Sequence, residues 1–409
     1  MTPRSLEEIQ ALQFHDLAVA NEALREFFGA YLPFGIESLQ IRPLAVSLNS
    51  INGFLTADDG RRLFFKTHVE SQGVLDEYYN AAVLAEAGYA VIQPIYAVAE
   101  RDRQVLVYEV VELPSLFDVA HAIERGERGG AEAVVAAQER SDAELFAIYL
   151  RTLTEITAEQ NARAPVHQLF AHRLTGGRFA QFYQGRPFAL PGATLGFAEL
   201  AGMRWRINGR AFAETLGEII GRAAELLDPA TPTVAVVGHG DAHNGNLFFD
   251  EGEGRLIYFD PAFAGTHSPF LDLAKPLFHN VFARWMYFPG EVAAGLTLRC
   301  ELRGDTIAVE HDFAPSALRV GLLRSKLGLV LGPLVRELGA RAMLSPDWRA
   351  QLKAALFCCP FLTMNLGDRG RFPPEVGLLG LCMAVELGGT LAGGEAGLFE
   401  AELDRALAS

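Results

Sequence analysis

The hydrophobic pattern of this chain changes period part-way along, and that change bounds the fold more tightly than any other feature. Up to about residue 110, apolar residues come in short strand-like runs: "IESLQIRPLAVSLNS", "GFLTADDGRRLFFKTHV" and "AVIQPIYAVAERDRQVLVYEVVEL". The "DDG" triplet between Phe54-Leu55 and Leu63-Phe64-Phe65 is an antiparallel hairpin signal. The charged turn "ERDR" separates two more strands. One helical stretch interrupts them, "SQGVLDEYYNAAVLAEAGY", which Gly88 stops. Residues 1–34 read as helix ending near "YLPFG". Beyond "YEVVEL" the spacing becomes mainly helical. The fold class is therefore α+β, with an N-terminal β-rich lobe over 1–110 and a large, mainly helical lobe over 111–409. A chain of 409 residues is long enough to give each lobe its own core.

Within the helical part, "ERGERGGAEAVVAAQER" reads as a charged, solvent-facing stretch. A helix is expected to start after it, at a capping box formed by Ser141 and Glu144. Leu145, Ile148, Tyr149, Leu153 and Ile156 would be its apolar stripe. "GRAFAETLGEIIGRAAELLDPA" and "LDLAKPLFHNVFARWMYF" read as further helices, and "LTLRCELRGDTIAVEHDF" as a hairpin turning at "RGD". The apolar stretches "AALFCCPFLTMNL", broken by Pro360, and "VGLLGLCMAVEL" are too short to span a bilayer and read as buried helices. Cys300, Cys358, Cys359 and Cys382 show no CxxC spacing, as core thiols of a reducing compartment would. No apolar run of signal-peptide type opens the chain, so the expected location is cytoplasmic. The formal charge of -15 argues against nucleic acid and an anionic membrane as partners.

The segment "VGHGDAHNGNLFFDEGEGRLIYFDPAFAG" concentrates polar residues between apolar runs. "VAVV" leading into its start, and "NLFF" and "RLIYF" within it, are strand-like. Asp241 and Asn246 fall in a loop too rich in Gly, His and Asn for a helix, and Asp260 follows the third run. Three oxygen-bearing side chains at neighbouring strand ends suit magnesium, a hard cation that retains its own waters and bridges to phosphate. A carboxylate in such a loop can instead orient a hydroxyl and take its proton. A zinc site from His239, Asp241 and His243 is the competing arrangement, but no further histidine has helical ligand spacing and the cysteines are remote.

This stretch resembles the catalytic core of the aminoglycoside phosphotransferase and choline kinase group, small-molecule kinases with a protein-kinase-like two-lobed fold. The group's histidine-glycine-aspartate triplet falls on His239-Gly240-Asp241, its next histidine on His243 and its asparagine on Asn246. The resemblance implies that Asp241 is the catalytic base and that Asn246 and Asp260 are the metal ligands. It also makes Asp272 in "LDLAK" a structural aspartate that supports the loop. In the small lobe, Lys66 ends the strand "LFFK" and would reach phosphate oxygens, with Glu77 on the following helix to orient it. "SLNSINGF" takes the place of the phosphate loop. It contains Gly53 alone of the usual glycines, with Ser50 and Asn52 as further nucleotide contacts. Glu109, where the last strand leaves the small lobe, is set with them. The resemblance spans roughly residues 40–290.

The expected activity is phosphorylation of a hydroxyl on a small molecule, using ATP and Mg2+. The acceptor is left open among metabolites, amino alcohols, sugars and antibiotics. His167 and Arg173 in the aromatic-rich segment 160–205, together with His243 and the helix carrying Trp285, are the candidate acceptor contacts. The alternative class is a non-catalytic, kinase-like nucleotide-binding or interaction module; a third is nucleotidyl transfer.

Overall fold

The computed structural model describes residues 5–42, 50–68, 80–98, 100, 103–393 and 396–408, apart from the side chains of Ser50 and His68. Two compact units emerge. The first comprises residues 1–86, 90–113 and 259–262; the second comprises 87–89, 114–258 and 263–409. A β-rich N-terminal unit and a larger, mainly helical C-terminal unit make this a protein-kinase-like α+β fold.

The first unit opens with helix Leu6–Leu12, capped reciprocally by Ser5 and Glu8. Helix Leu17–Gly29 follows, capped by Asp16. Five strands come next: β1 (Ile36–Ile41), β2 (Ser50–Ala57), β3 (Arg62–His68), β4 (Tyr96–Val98) and β5 (Val105–Glu109). They form one antiparallel sheet in the order β1-β2-β3-β5-β4, and the "DDG" turn joins β2 to β3 as its residues require. Alternation sorts the two faces. Ile51, Leu55, Leu63, Phe65, Val105 and Val107 pack against Leu24 and Phe28 of the second helix. Leu106 and Tyr108 point the other way with Phe64. Residues 80–87 are helical and end at Gly88, whose φ of +103° only glycine adopts at little cost.

Gly53 has a packing role. It lies inside β2, where an added Cβ would stand 2.2 Å from the Gln40 carbonyl oxygen and 2.7 Å from the Phe65 ring. The sole glycine of "SLNSINGF" thus admits Phe65 to the core, and Asn52 beside it is also a strand residue. Ser47 and Asn49 lie outside the described residues.

In the second unit, β6 (Thr154–Ile156), β11 (Thr233–Gly238) and β14 (Gly265–His267) form a three-stranded sheet with β11 central. Strands β12 (Leu247–Asp250) and β13 (Arg255–Tyr258) form the hairpin expected of "NLFF" and "RLIY". Strands β7 (Pro187–Leu190) and β8 (Ala193–Gly196) form another. A five-stranded sheet joins β9 (Arg204–Ile207), β10 (Arg210–Phe212), β15 (Leu298–Arg303), β16 (Thr306–His311) and β17 (Leu391–Gly393), with β16 parallel to β9. The "RGD" hairpin is therefore one edge of a larger sheet.

Several expectations fail here for identifiable reasons. Ser141 does not cap a helix: one helix runs from Ala131 to Thr152 and starts after Gly130 at φ +98°. Ser141 lies in its middle, buried, with its hydroxyl 3.0 Å from the Tyr258 hydroxyl. Alanine-rich sequence before it carries the helix past the apparent cap. Ile156 leaves the proposed stripe for β6. "GRAF" opens as β10, because Asn208 (φ +49°) and Gly209 (φ +76°) form a tight hairpin turn with β9. "LDLAKPLFHNVFARWMYF" divides into helices Pro269–His279 and Arg284–Tyr287. Pro360 lies inside helix Trp348–Thr363 without ending it there. Helices Trp348–Thr363 and Pro374–Gly388 bury Cys358, Cys359 and Cys382 as unpaired thiols.

Candidate functional site

The loop between β11 and β12 is shaped by two glycines and a buried carboxylate. A Cβ on Gly238 would stand 2.5 Å from the Asp272 carboxyl carbon and 2.6 Å from His267 Nε2. Gly240 has φ +79°, and a Cβ there would meet the Phe263 carbonyl oxygen at 2.4 Å. Both positions are closed to any larger residue. The Gly240 N–H donates to Asp272 Oδ1 at 2.5 Å. Tyr149 donates its hydroxyl to Asp272 Oδ2, and His267 Nε2 lies 3.1 Å from Oδ1. Burial pushes the Asp272 carboxyl up, but His267, Tyr149 and the Gly240 N–H outweigh it and hold the group below its ordinary value. Asp272 ties the loop to helix Pro269–His279 and, through Tyr149, to helix Ala131–Thr152.

A second anchor holds the far end of the loop. The Asn244 N–H donates to Asn280 Oδ1 at 2.7 Å. Arg319 donates to the Asn280 carbonyl at 3.0 Å and to both carboxylate oxygens of Glu124, at 2.6 and 2.8 Å.

Between these anchors stands Asp241, its side chain 15% exposed. Its Oδ1 is buried without a hydrogen-bond partner. Lys275 Nζ lies 3.7 Å from that oxygen and His243 Nε2 3.8 Å. Burial alone would raise the Asp241 pKa. Lys275 foremost, with His243, His239 and Arg173, outweighs it and holds the carboxyl below its ordinary value. His243 Nδ1 accepts the Gly245 N–H at 3.0 Å, which places its proton on Nε2, towards Asp241. Lys275 is itself buried and lies 3.2 Å from His279 Nε2, whose Nδ1 meets the Tyr287 hydroxyl at 2.7 Å. The result is an ionised carboxylate in a cationic surround, an arrangement able to accept a proton.

Asn246 is 9% exposed, and its Nδ2 donates to the Asp241 backbone carbonyl at 2.9 Å. With the nitrogen so committed, the amide presents its oxygen as the ligand end. That oxygen is a hard donor of the kind magnesium takes. Among the described residues, no group of three or more His, Cys, Asp or Glu side chains is placed to hold a metal ion.

A second polar cluster lies in the first unit. Lys66 pairs across the sheet with Asn52 on β2 and Leu106 on β5. Its Nζ lies 2.9 Å from Asp260 Oδ1. Asp260 adopts φ +55°, in the left-handed region that aspartate enters more readily than most residues with a Cβ. Asn80 Nδ2 donates to the Pro261 carbonyl at 3.2 Å and fixes the segment beyond it. Glu109 ends β5, exposed, opposite Leu63. Glu77 lies outside the described residues, as does the side chain of Ser50.

The candidate acceptor residues separate. Arg173 is one of the charges that act on Asp241, and burial with the nearby Arg178 lowers its own pKa to about 10. His167 is 2% exposed, with Nε2 at 3.0 Å from Asn161 Oδ1; burial and neighbouring His267 lower its pKa to about 4. Trp285 is fully buried. Lys275 and His279 drew no notice in the sequence, although a signal was there. Asp272, Lys275 and His279 recur along one face of a single helix.

The sequence model of the phosphotransferase enzyme family matches residues 41–303, well over half of the chain. No curated protein sequence matches. Among solved structures, the chain is similar to a macrolide 2'-phosphotransferase type I at 15% identity, covering 92% of this chain and 98% of that one, with a TM-score of 0.42. It is similar to an aminoglycoside phosphotransferase, APH(4)-Ia, solved with ADP and hygromycin B, at 10% identity, covering 90% and 97%, with a TM-score of 0.47. It is similar to a choline/ethanolamine kinase family protein from Mesorhizobium loti at 12% identity, covering 95% and 99%, with a TM-score of 0.43.

Proposed function

The chain belongs to the phosphotransferase enzyme family, and from that premise we propose that it transfers the terminal phosphoryl group of ATP to a hydroxyl of a small molecule. The observation that carries this reading is the state of Asp241. A largely enclosed carboxylate is kept ionised chiefly by Lys275, on a loop fixed at both ends. Such a group orients an acceptor hydroxyl and takes its proton as the new O–P bond forms and the bond to the leaving diphosphate breaks.

In this reading Lys66 neutralises phosphate oxygens, exchanging its contact with Asp260 for them. Glu77 orients Lys66, while Ser50, Asn52 and Glu109 contact the nucleotide. Asn246 and Asp260 hold Mg2+, on the strength of their motif positions and their hard oxygens. The bound metal supplies charge neutralisation on the phosphates. Arg173 and His243 face the acceptor. His167, enclosed against Asn161, supports the segment that carries Arg173.

The test is a screen of hydroxyl-bearing metabolites and antibiotics for magnesium-dependent ADP release, with the mass of each product measured. The reading requires one acceptor to gain a phosphoryl group. It also requires Asp241→Asn, folded as wild type, to lose turnover by roughly 10²-fold or more while still binding nucleotide. Adenylyl addition, or near-normal turnover by Asp241→Asn, rejects it.

A further inference from the structure

The second unit contains a cavity of about 450 Å3 whose lining includes none of Asp241, His243, Asn246, Lys275 or Arg173. Its walls come from β10, the end of β16 and helices Pro374–Gly388 and Leu398–Ala408. Phe212, Phe282, Phe313, Met383, Leu387 and Phe399 make it predominantly apolar. That size and lining are those of a site for a small organic molecule.

The polar groups on the wall narrow the ligand's chemistry. Arg210 is paired with Glu386, and Lys353 with Glu400. Each of these two cations thus has a carboxylate beside it, although burial raises the Glu386 pKa to about 7 and Arg210 Nε has no hydrogen-bond partner among the described residues, and a charged ligand would have to compete with these pairs in an apolar space. His311 differs. Its side chain is 3% exposed, both ring nitrogens lack a hydrogen-bond partner, and the nearest carboxylate oxygen, on Glu386, is 4.0 Å away. Burial and the Arg210 charge lower its pKa, so the ring is neutral. A neutral imidazole offers one donor and one acceptor. A hydroxyl group can answer either one, donating to the bare nitrogen or accepting from the ring N–H, and leaving a buried polar nitrogen unanswered is costly. The main chain at this position is fixed, since Asn208 Oδ1 accepts the His311 backbone N–H at 2.8 Å.

We propose that this cavity binds a neutral, mainly apolar small molecule through a hydroxyl group directed at His311. The inference goes beyond phosphoryl transfer and does not depend on it. Met383, unbranched and adaptable, lets the wall fit such a body closely.

The test uses 2-naphthol, with naphthalene and 2-naphthoate as comparators, titrated against the full chain and followed by probe fluorescence. Wild type should bind 2-naphthol saturably at one site, about 2–12-fold more tightly than naphthalene, and should discriminate strongly against the charged 2-naphthoate. His311→Phe should bring 2-naphthol and naphthalene to equal affinity. Met383→Trp should fill the space and abolish binding of both; Leu387→Trp serves the same purpose if Met383→Trp does not fold. Asp241→Asn should bind 2-naphthol as wild type does, which separates this inference from the proposed reaction. Absence of saturable binding would overturn it, as would binding unchanged in His311→Phe and in both cavity-filling variants. Loss of binding in Asp241→Asn would place the probe at the catalytic loop and overturn it equally.

Discussion

Replacing Asp272 by alanine removes the carboxylate on which the loop of Gly240 and Asp241 hangs. The change strands three partners in a site where Asp272 is 2% exposed: the Gly240 N–H, the Tyr149 hydroxyl and His267 Nε2. A hydrogen bond to a charged group contributes about 1.5–3 kcal/mol. Breaking a buried charged network by removing one member typically costs about 3–5 kcal/mol. Asp272→Ala should therefore destabilise the second unit by about 3–5 kcal/mol, against about 1.5–3 kcal/mol for Tyr149→Phe, which removes a single bond to the charged group. Urea unfolding at neutral pH, followed by tryptophan fluorescence, measures both. All three tryptophans, Trp205, Trp285 and Trp348, lie in this unit. The effect should also depend on pH with a definite sign. The folded-state pKa of Asp272 lies below the ordinary 3.8. Its contribution is therefore complete above that value and is lost as pH falls through the folded one, so wild type and variant should converge in strong acid. A loss under about 1 kcal/mol, or a difference that persists unchanged into acid, refutes the account of the loop given above.

Three further outcomes follow from the same geometry. Lys275→Met removes the cation nearest Asp241 Oδ1 and should lower kcat roughly 10–100-fold with the KM for ATP unchanged; steady-state kinetics decide it, and an unaltered kcat removes Lys275 from the site. Asp260→Ala should abolish the effect of magnesium on ATP affinity in calorimetric titration, and a persisting effect would assign the metal to other ligands. Arg173→Ala should raise the acceptor KM several-fold while sparing the KM for ATP, whereas His167→Ala should act on stability, leaving Asn161 Oδ1 short of a partner; thermal melts beside kinetics separate the two, and the reverse pattern would exchange their roles.

What the sequence disclosed follows from the range over which each interaction acts. The "DDG" and "RGD" hairpins and the strands around Asp241 depend on neighbours a few residues away, and turn chemistry with alternation was enough to read them. Asn208-Gly209 was equally local and was passed over, because the helix after it dominated the reading of "GRAFAETLG". Ser141 shows the limit of a short motif: a serine three residues before a glutamate caps a helix only if the chain before it is not already helical. The pairing of β16 with β9 joins residues about a hundred positions apart, and no local pattern encodes that partner. Gly53 was open to a second meaning for the same reason, since the Phe65 ring that needs its space is on the next strand. Asp241, Asn246 and Asp260 were singled out by their places beside strand-like runs, which are local. Lys275 was not, because a lysine in a helix reads as solvated until the fold shows that it is buried.

Helix Ala131–Thr152 has a consequence for length. From a single rod, Ser141 reaches Tyr258, Asp142 reaches Ser325 and Lys326, Tyr149 reaches Asp272, and Thr152 Oγ1 accepts the Val237 N–H. Those contacts are spaced by helical phase. Ala143 and Glu144 between them are exposed, and a change of side chain there touches nothing buried. One extra residue at the same place would rotate everything beyond it by about 100° and advance it by about 1.5 Å. Tyr149 would swing away from Asp272, and Thr152 from β11, while Ser141 and Asp142 stayed in place. At these two positions identity is free and number is fixed, so the segment should tolerate substitution broadly and insertion or deletion hardly at all.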